Sequence, residues 1–483
     1  MKQLRHTLNR ILLIRLSDNI IKDTLHPRQV TPPFALKYIQ AIFKKTKKRC
    51  YATLLIDAFI SEYSPQEILN ISIGWRPDAV VLHSSVRNAE FALSYAQQIK
   101  EYLGSVLIFA IGSGPGFFPE KYFFDASPFD IIIRGEPEEE ICGIIEKINK
   151  GARIEEIKIY YNKSFKQNKT FLVNDINSLP FPFYTQKEIE AYKQIYPLAM
   201  YRKVKWGHIL TSRGCANKCI FCSSITRESS GNMIRLRNAV NVIDEVDKFY
   251  KNGINAISFA DDNFAFDKSH VFRICKEFIK RKLKIKWICH VNINDAEQNM
   301  LLLMKKAGCL LLKFGVESGS PRIIELINKS DDGYGWIEKS IRAFNYARKL
   351  GMQTHALFII GNPGETKKET KQTVDFAKRL RADLIQIHFF TPYADSKIFI
   401  QIKNHVKNKD MDKIYHYNYP LINLSNLSSD ELWKMRRYFY MKYYLNPQFI
   451  IRHIFKYLPF YCFNSDILIR ILKIKNIVIK IRN

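Results

Sequence analysis

Residues 212–224 read SRGCANKCIFCSS and set Cys215, Cys219 and Cys222 on one short turn. The 483-residue chain has only nine cysteines, so this crowding needs a chemical reason. Burial in a core is the usual fate of a single thiol. Gly214, Asn217 and Lys218, however, make this a polar turn. Structural zinc takes four ligands, usually as two separated pairs, and neither a second pair nor a nearby histidine completes such a set. An iron–sulfur cluster suits the C-x3-C-x2-C spacing, because cysteine thiolates hold clusters at such intervals. A cubane on three protein thiolates leaves one iron open to a substrate or cofactor.

Outward from this turn the chain alternates. From Trp206 the strand candidates are WGHILTSRG, AISFADDN, IKWICHVNIN, LLLKFGVESG, MQTHALFIIGNPG and DLIQIHFFTPY, with helical segments such as NVIDEVDKFYKNG following the first five. Six such units predict a partial (β/α)6 TIM-like barrel over 205–395, with chemistry at the strand carboxyl ends. Cys215, Asp261, Asp262, Glu317 and Asn362 fall there. Before it, RILLIRL, YATLLIDAF, DAVVLHSS, VLIFAIGSG and DIIIRGE alternate with helical segments. They predict a doubly wound parallel sheet over 1–150 whose ligands sit at the strand carboxyl ends. Residues 151–204, with NSLPFPFY, read as a linker. Residues 396–483 read as a basic, aromatic, mostly helical extension. The fold class expected is therefore α/β.

Composition is that of a globular protein, 47% hydrophobic and 25% charged. The formal charge is +29. Nucleic acid, an anionic membrane or an acidic substrate each suits such a surface. The lysines are scattered, though, and a chain-wide bias explains the charge without a partner. The N-terminal apolar run, Ile11–Ile14, is short for a secretory signal. No stretch approaches the roughly 20 apolar residues of a membrane span. The expectation is a cytoplasmic protein with reduced thiols. Cys50, Cys142, Cys275, Cys289, Cys309 and Cys462 read as core thiols. His208, His290, His355 and His388, on barrel strands, read as satisfied interior histidines.

RGCANKCIFC, with Phe221 before the third cysteine, resembles the signature of the radical S-adenosylmethionine superfamily. ISFADDNFAFD, FGVESGSPRIIELINKS, FIIGNPGETKKET and HFFTPYADSKIF resemble that family's segments in the same order. The resemblance spans about residues 206–400. It implies a 4Fe–4S cluster on Cys215, Cys219 and Cys222, with S-adenosylmethionine chelated at the open iron. Reductive cleavage would then yield a 5′-deoxyadenosyl radical, on an electron from an external donor such as flavodoxin or ferredoxin. Asp261 and Asp262 stand where the family receives the methionine amino group; the alternative is that one caps the helix starting near Asp267. Glu317 stands as a ribose or methionine contact; the alternative is a helix-start carboxylate before SPRIIELI. Ile360 and Gly361 stand where backbone brackets adenine. Asn292 replaces a residue that is basic in many relatives, which puts a third-strand contact in doubt.

TPPFALKYIQAIFKK, DAVVLHSS, IGSGPGFFPE and FDIIIRGEPEEEI resemble the Rossmann-like cobalamin-binding domain of one large class of this superfamily. By that resemblance Gly112, Ser113 and Gly114 lie near the corrin, and Ser84 and Ser85 face it. Where some cobalamin proteins carry D-x-H-x-x-G, this chain reads DAFISE, with Phe59 in place of the histidine, so no histidine ligand is expected from that segment. The function implied is methyl transfer to carbon, or a related radical modification, on a small molecule or lipid. The alternatives are a radical RNA-modifying enzyme and a non-catalytic corrinoid or iron–sulfur carrier. No added RNA-binding domain is evident, so nucleic acid is not the expected partner. The C-terminal extension would cover the barrel mouth or, as a basic amphipathic segment, contact a membrane surface.

Overall fold

The structure is a computed structural model. It describes residues 7–17, 30–47, 49–61, 63–122, 124, 126–153, 170–192, 204–222, 233–393, 396–402, 420 and 422–461. DILIRILKIKNIVIKIRN and Cys462 lie outside these residues.

The first sheet contains β1 (Arg10–Arg15), β2 (Ala52–Asp57), β3 (Ala79–His83), β4 (Leu107–Ile111) and β5 (Ile131–Ile132), in the order β2-β1-β3-β4-β5, all parallel. Its strands read as unbroken apolar runs because both faces are buried. Ile11 and Leu13 pack under the helices Phe34–Lys45 and Glu138–Asn149, while Leu12 and Ile14 pack under Pro65–Trp75 and Ala89–Leu103. The order reverses between β1 and β3, the position at which doubly wound sheets open a crevice at their carboxyl edge. Then β6 (Arg134–Gly135) pairs with β7 (Thr170–Phe171). Val173, Ile176 and Leu179 continue as a strap packed on Tyr38.

The second sheet is built from β8 (Trp206–Ile209), followed after a short hairpin of β9 (Ser212–Arg213) and β10 (Arg235–Leu236) by β11 (Ala256–Phe259), β12 (Lys286–Val291), β13 (Cys309–Glu317), β14 (Gln353–Ile360) and β15 (Leu384–Phe389). The order β15-β14-β13-β12-β11-β8 is parallel throughout. Alternate residues, among them Ile257, Trp287, Phe314 and Phe358, join one large core under the outer helices. The intervening residues Trp206, Ala256, Ile288 and Leu311 form a separate small cluster that Leu384 of the opposite edge strand also packs against. Residues from both edges meet inside, so the sheet curls into a partial barrel with an apolar plug at its amino end.

The edge strand β15 would expose unpaired backbone groups, a hazard that proteins cover. Here the helix Ser429–Tyr444 lies along it. The Tyr440 hydroxyl accepts from Ile387 N–H at 3.0 Å and the Tyr444 hydroxyl from Ile385 N–H at 3.1 Å. The following helix, Pro447–Tyr461, leaves Ile451 and Phe455 exposed. No helix among the described residues is long and apolar enough to cross a membrane. One expectation is corrected: Cys50 is exposed, because it precedes β2 rather than lying within it, whereas Cys142, Cys275, Cys289 and Cys309 are buried.

Candidate active site

The cysteine turn is anchored at its root by Asp261. This carboxylate ends β11, is 2% exposed, and accepts at one oxygen, Oδ1, from the N–H and hydroxyl of both Thr211 and Ser212. Burial pushes its carboxyl up to about 6, while those four bonds pull the other way. The second oxygen, Oδ2, is buried with no partner. Asp262 is exposed. Neither residue caps the next helix: Asp267 does, accepting from His270 N–H at 2.7 Å.

Past the root, Gly214 takes φ 95°, a left-handed turn suited to glycine. The turn then crosses to the far side of the barrel's carboxyl mouth. Ile220 N–H donates to Ile327 O at 3.1 Å, and Asn328 Nδ2 donates to Lys218 O at 2.8 Å. Ile220 and Phe221 pack on Ile323, Ile327, Phe390 and Ile398. The aromatic residue of the motif is thus an apolar anchor. Cys215 is half-buried, Cys219 buried and Cys222 exposed, and none of the three is in a disulfide. Among the described residues no three His, Cys, Asp or Glu side chains converge closely enough to hold a metal ion. The donor chemistry, three soft thiols on one turn, nonetheless fits an iron–sulfur cluster.

Beside the turn stands a pair of which sequence reasoning found only half. Glu317 ends β13 with φ 66°, uncommon for a non-glycine residue, and binds Lys329 Nζ at 2.7 Å. Burial opposes the Lys329 charge, but Glu317, Cys219 and Cys222 outweigh it and raise the ammonium above its ordinary range. Gly315 clears the space: a Cβ there would lie 2.5 Å from Glu317 Oε1. Glu317 does not serve the next helix, whose cap is Ser320. Lys329 lies in INKSDDG, where an isolated lysine carries no signal.

At the end of β14, Ile360 turns outward into the core and its carbonyl accepts from Phe390 N–H at 2.8 Å. Gly361 N–H donates to Glu365 at 2.8 Å, and Leu432 fills the space beside its Cα. Glu365, fully buried, also receives Asn362 N–H and Nδ2; burial raises it to about 7. The GNPGE stretch is therefore a loop built round one carboxylate. Asn292 accepts from Asn294 N–H as a turn cap.

The first sheet faces this site. Arg213, next to Gly214, is clasped by Glu136 at 3.2 Å and Glu138 at 2.8 Å; Arg235 also binds Glu136. Val86 and Phe118, beyond β3 and β4, pack on Phe399 beyond β15. The expected turn residues are here. A Cβ at Gly112 would meet Ser84 O at 2.5 Å, and one at Gly114 would meet Tyr122 Oη at 2.1 Å, so both glycines are required by close packing. The Ser84 hydroxyl is buried against Tyr122 Oη and Asn88. Ser85, Gly112 and Ser113 are half-buried at the rim. Phe59 lies under the Arg15 guanidinium, which is paired to Asp57, and Tyr192 donates to Asp57 at 2.7 Å. His83, which the sequence reading passed over, ends β3 with its ring against Gly112; burial lowers its pKa to about 4.

This arrangement, a three-cysteine turn across the carboxyl mouth of a parallel partial barrel, defines a class. Residues 209–377 match the family model described as the Radical SAM superfamily. That segment carries a radical SAM domain, and an enzyme of this class is supported over a non-catalytic carrier. It is 28% identical over 435 residues to an uncharacterized methyltransferase of Pyrococcus horikoshii, covering 88% of this chain and 90% of that one. It is 24% identical to the cytidylyl-2-hydroxyethylphosphonate methyltransferase of Streptomyces wedmorensis, covering 76% and 77%. In fold it resembles the methyltransferase TsrM of Kitasatospora setae, solved with cobalamin and a [4Fe-4S] cluster bound. There the TM-score is 0.64 at 16% identity, over 82% of this chain and 75% of that one. It also resembles the cobalamin-dependent radical enzyme OxsB, with a TM-score of 0.61 at 19% identity over 85% and 56%.

Proposed function

We propose that this enzyme cleaves S-adenosylmethionine reductively and, with cobalamin, methylates a carbon of a small molecule. The observation that carries the reading is the pinning of the cysteine turn across the barrel mouth, with Asp261 at its root and Lys329 at its tip. Two relatives named as methyltransferases, matched along most of this chain, support the methyl-transfer outcome.

Cys215, Cys219 and Cys222 would hold a 4Fe–4S cluster, which when bound supplies the electron that splits the sulfonium bond. Lys329 holds positive charge beside Cys219 and Cys222 and thereby favours their thiolate forms. Asp261 Oδ2 is the acceptor left over for a cation such as the methionine ammonium, and Glu317 is the second carboxylate at the mouth. Ser85, Gly112 and Ser113 would border a corrin, with His83 the imidazole at that edge; cobalamin would supply the methyl carrier. Cys222, on the exposed side, is the approach for an electron donor such as flavodoxin or ferredoxin.

The test is anaerobic reconstitution with iron and sulfide, reduction, and measurement of 5′-deoxyadenosine and S-adenosylhomocysteine from S-adenosylmethionine. Native protein should make one or both, and Cys219→Ala neither. Equal turnover by the variant would overturn the assignment.

A further inference from the structure

The helix Pro447–Tyr461 is inverted relative to the usual arrangement on a globular surface. Such a helix normally sends its apolar stripe to the core and its charges to solvent. Here the two charged residues reach inward. Arg452 Nη2 donates to Ala382 O at 2.8 Å, and Lys456 pairs with Asp383 at 2.6 Å. The outward residues are Ile450, Ile451, Ile454 and Phe455, between 40% and 75% exposed. Single exposed apolar residues are ordinary; four on one helix face, with the charges turned in, are not.

The preceding helix, Ser429–Tyr444, repeats the pattern. It buries Leu432, Met435, Phe439 and Tyr443 against the barrel and exposes Tyr438 and Met441, with Leu445 exposed just beyond its end. Among the described residues, seven of the eighteen exposed large apolar side chains therefore fall between 438 and 455. A concentration of this kind marks a surface that meets something apolar.

Charge says what that is. Between Glu431 and Asp466 the chain carries six lysines and arginines and no acidic residue. Lys434 and Lys442 are exposed at helical spacing from Tyr438 and Met441, so cations border the apolar stripe. A second copy of this chain would set that basic border against itself. Residues 467–483, outside the described residues, hold five lysines and arginines and no acidic residue, so covering the face with them would add charge of the same sign. Nucleic acid would match the charge and leave the isoleucines without an apolar partner. An anionic lipid surface meets both needs, with headgroups for the lysines and acyl chains for the isoleucines and Phe455.

We propose that the outer faces of Ser429–Tyr444 and Pro447–Tyr461 dock the protein on an anionic membrane, lying in its interface without crossing it. None of these outward residues belongs to the cysteine turn or its surroundings, so the docking surface stands apart from the radical chemistry.

The experiment sediments the full-length protein with phosphatidylcholine vesicles, made with and without phosphatidylglycerol, and measures binding to poly(U) RNA in parallel. Vesicles with phosphatidylglycerol should bind the protein about tenfold or more tightly than those without it. Ile451→Gln and Phe455→Gln should each weaken that binding about tenfold, because an inserted apolar side chain is lost. The double variant Lys434→Gln, Lys442→Gln should weaken it about tenfold and reduce its dependence on salt. All these positions are exposed, so each variant should melt as native protein does. A variant of Ile451 or Phe455 that melts well below native protein would show the face already covered, by residues 467–483 or by a second copy, and would overturn the proposal. So would binding indifferent to phosphatidylglycerol, equal binding by native protein and the variants, or binding to poly(U) with none to vesicles.

Discussion

At the carboxyl edge of the first sheet, Arg15, Asp57 and Tyr192 satisfy one another, and Ser84, Asn88 and Tyr122 do the same around two close-packed glycines. At the carboxyl edge of the barrel, Asp261, Asn362 and, deeper, His208 each keep a buried polar atom with no partner. Both sheets are parallel and both are expected to meet ligands at the same end. The difference lies in shape. The first sheet is covered on both faces and offers only a rim, which its own side chains tighten. The barrel sheet curls, so its inner residues converge on a space that they do not fill. Leftover polar atoms in a convergent space mark where a ligand completes the structure.

The comparison can be broken most forcefully at Asp261. Asp261→Ala would leave the N–H groups of Thr211 and Ser212 buried and unpaired, at about 1–3 kcal/mol each, for an expected loss of about 4 kcal/mol in urea unfolding. The same residue predicts a pH dependence. Folding raises this carboxyl to about 6, so its contribution is fully present below an unfolded value of about 4 and is lost as pH rises through 6. Asp261→Asn should flatten stability across that window, and an unchanged profile would remove the assignment.

Next comes Lys329. Lys329→Met should weaken cluster retention by about 10- to 100-fold, read as iron lost to a chelator, since charge beside a ligand set tunes its affinity. Equal retention would show that the lysine serves only Glu317. Smaller still is the clasp between the two sheets. Glu138→Gln should cost about 1–3 kcal/mol and loosen the cysteine turn, seen as faster amide exchange at 213–215. Smallest is the covered edge: Tyr440→Phe should cost about 1 kcal/mol, because one backbone donor of β15 loses its acceptor.

Much of this was legible in the sequence, and for local reasons. The strands announce themselves because residues such as Ile11 to Ile14 are apolar on both faces, and the cysteine turn because three thiols in a polar setting have few explanations. The partners of those features were not legible. Lys218 meets Asn328 across 110 residues, and Lys329 reaches the cysteines only because the segment after β13 folds back over the mouth. From sequence, the interior histidines read as satisfied. The Nδ1 of His208 departs from it because the curl of the sheet, which decides what faces the lumen, is a property of six strands together. Glu365 and the edge-covering tyrosines were missed likewise: each acts on backbone groups, which carry no side-chain signature.

The account is tested most directly by electron paramagnetic resonance of anaerobically reconstituted, reduced protein with and without S-adenosylmethionine. It predicts about four irons per chain and a cluster signal that changes when the sulfonium compound is added. A signal indifferent to that compound, or iron content well below four in the native chain, would contradict it.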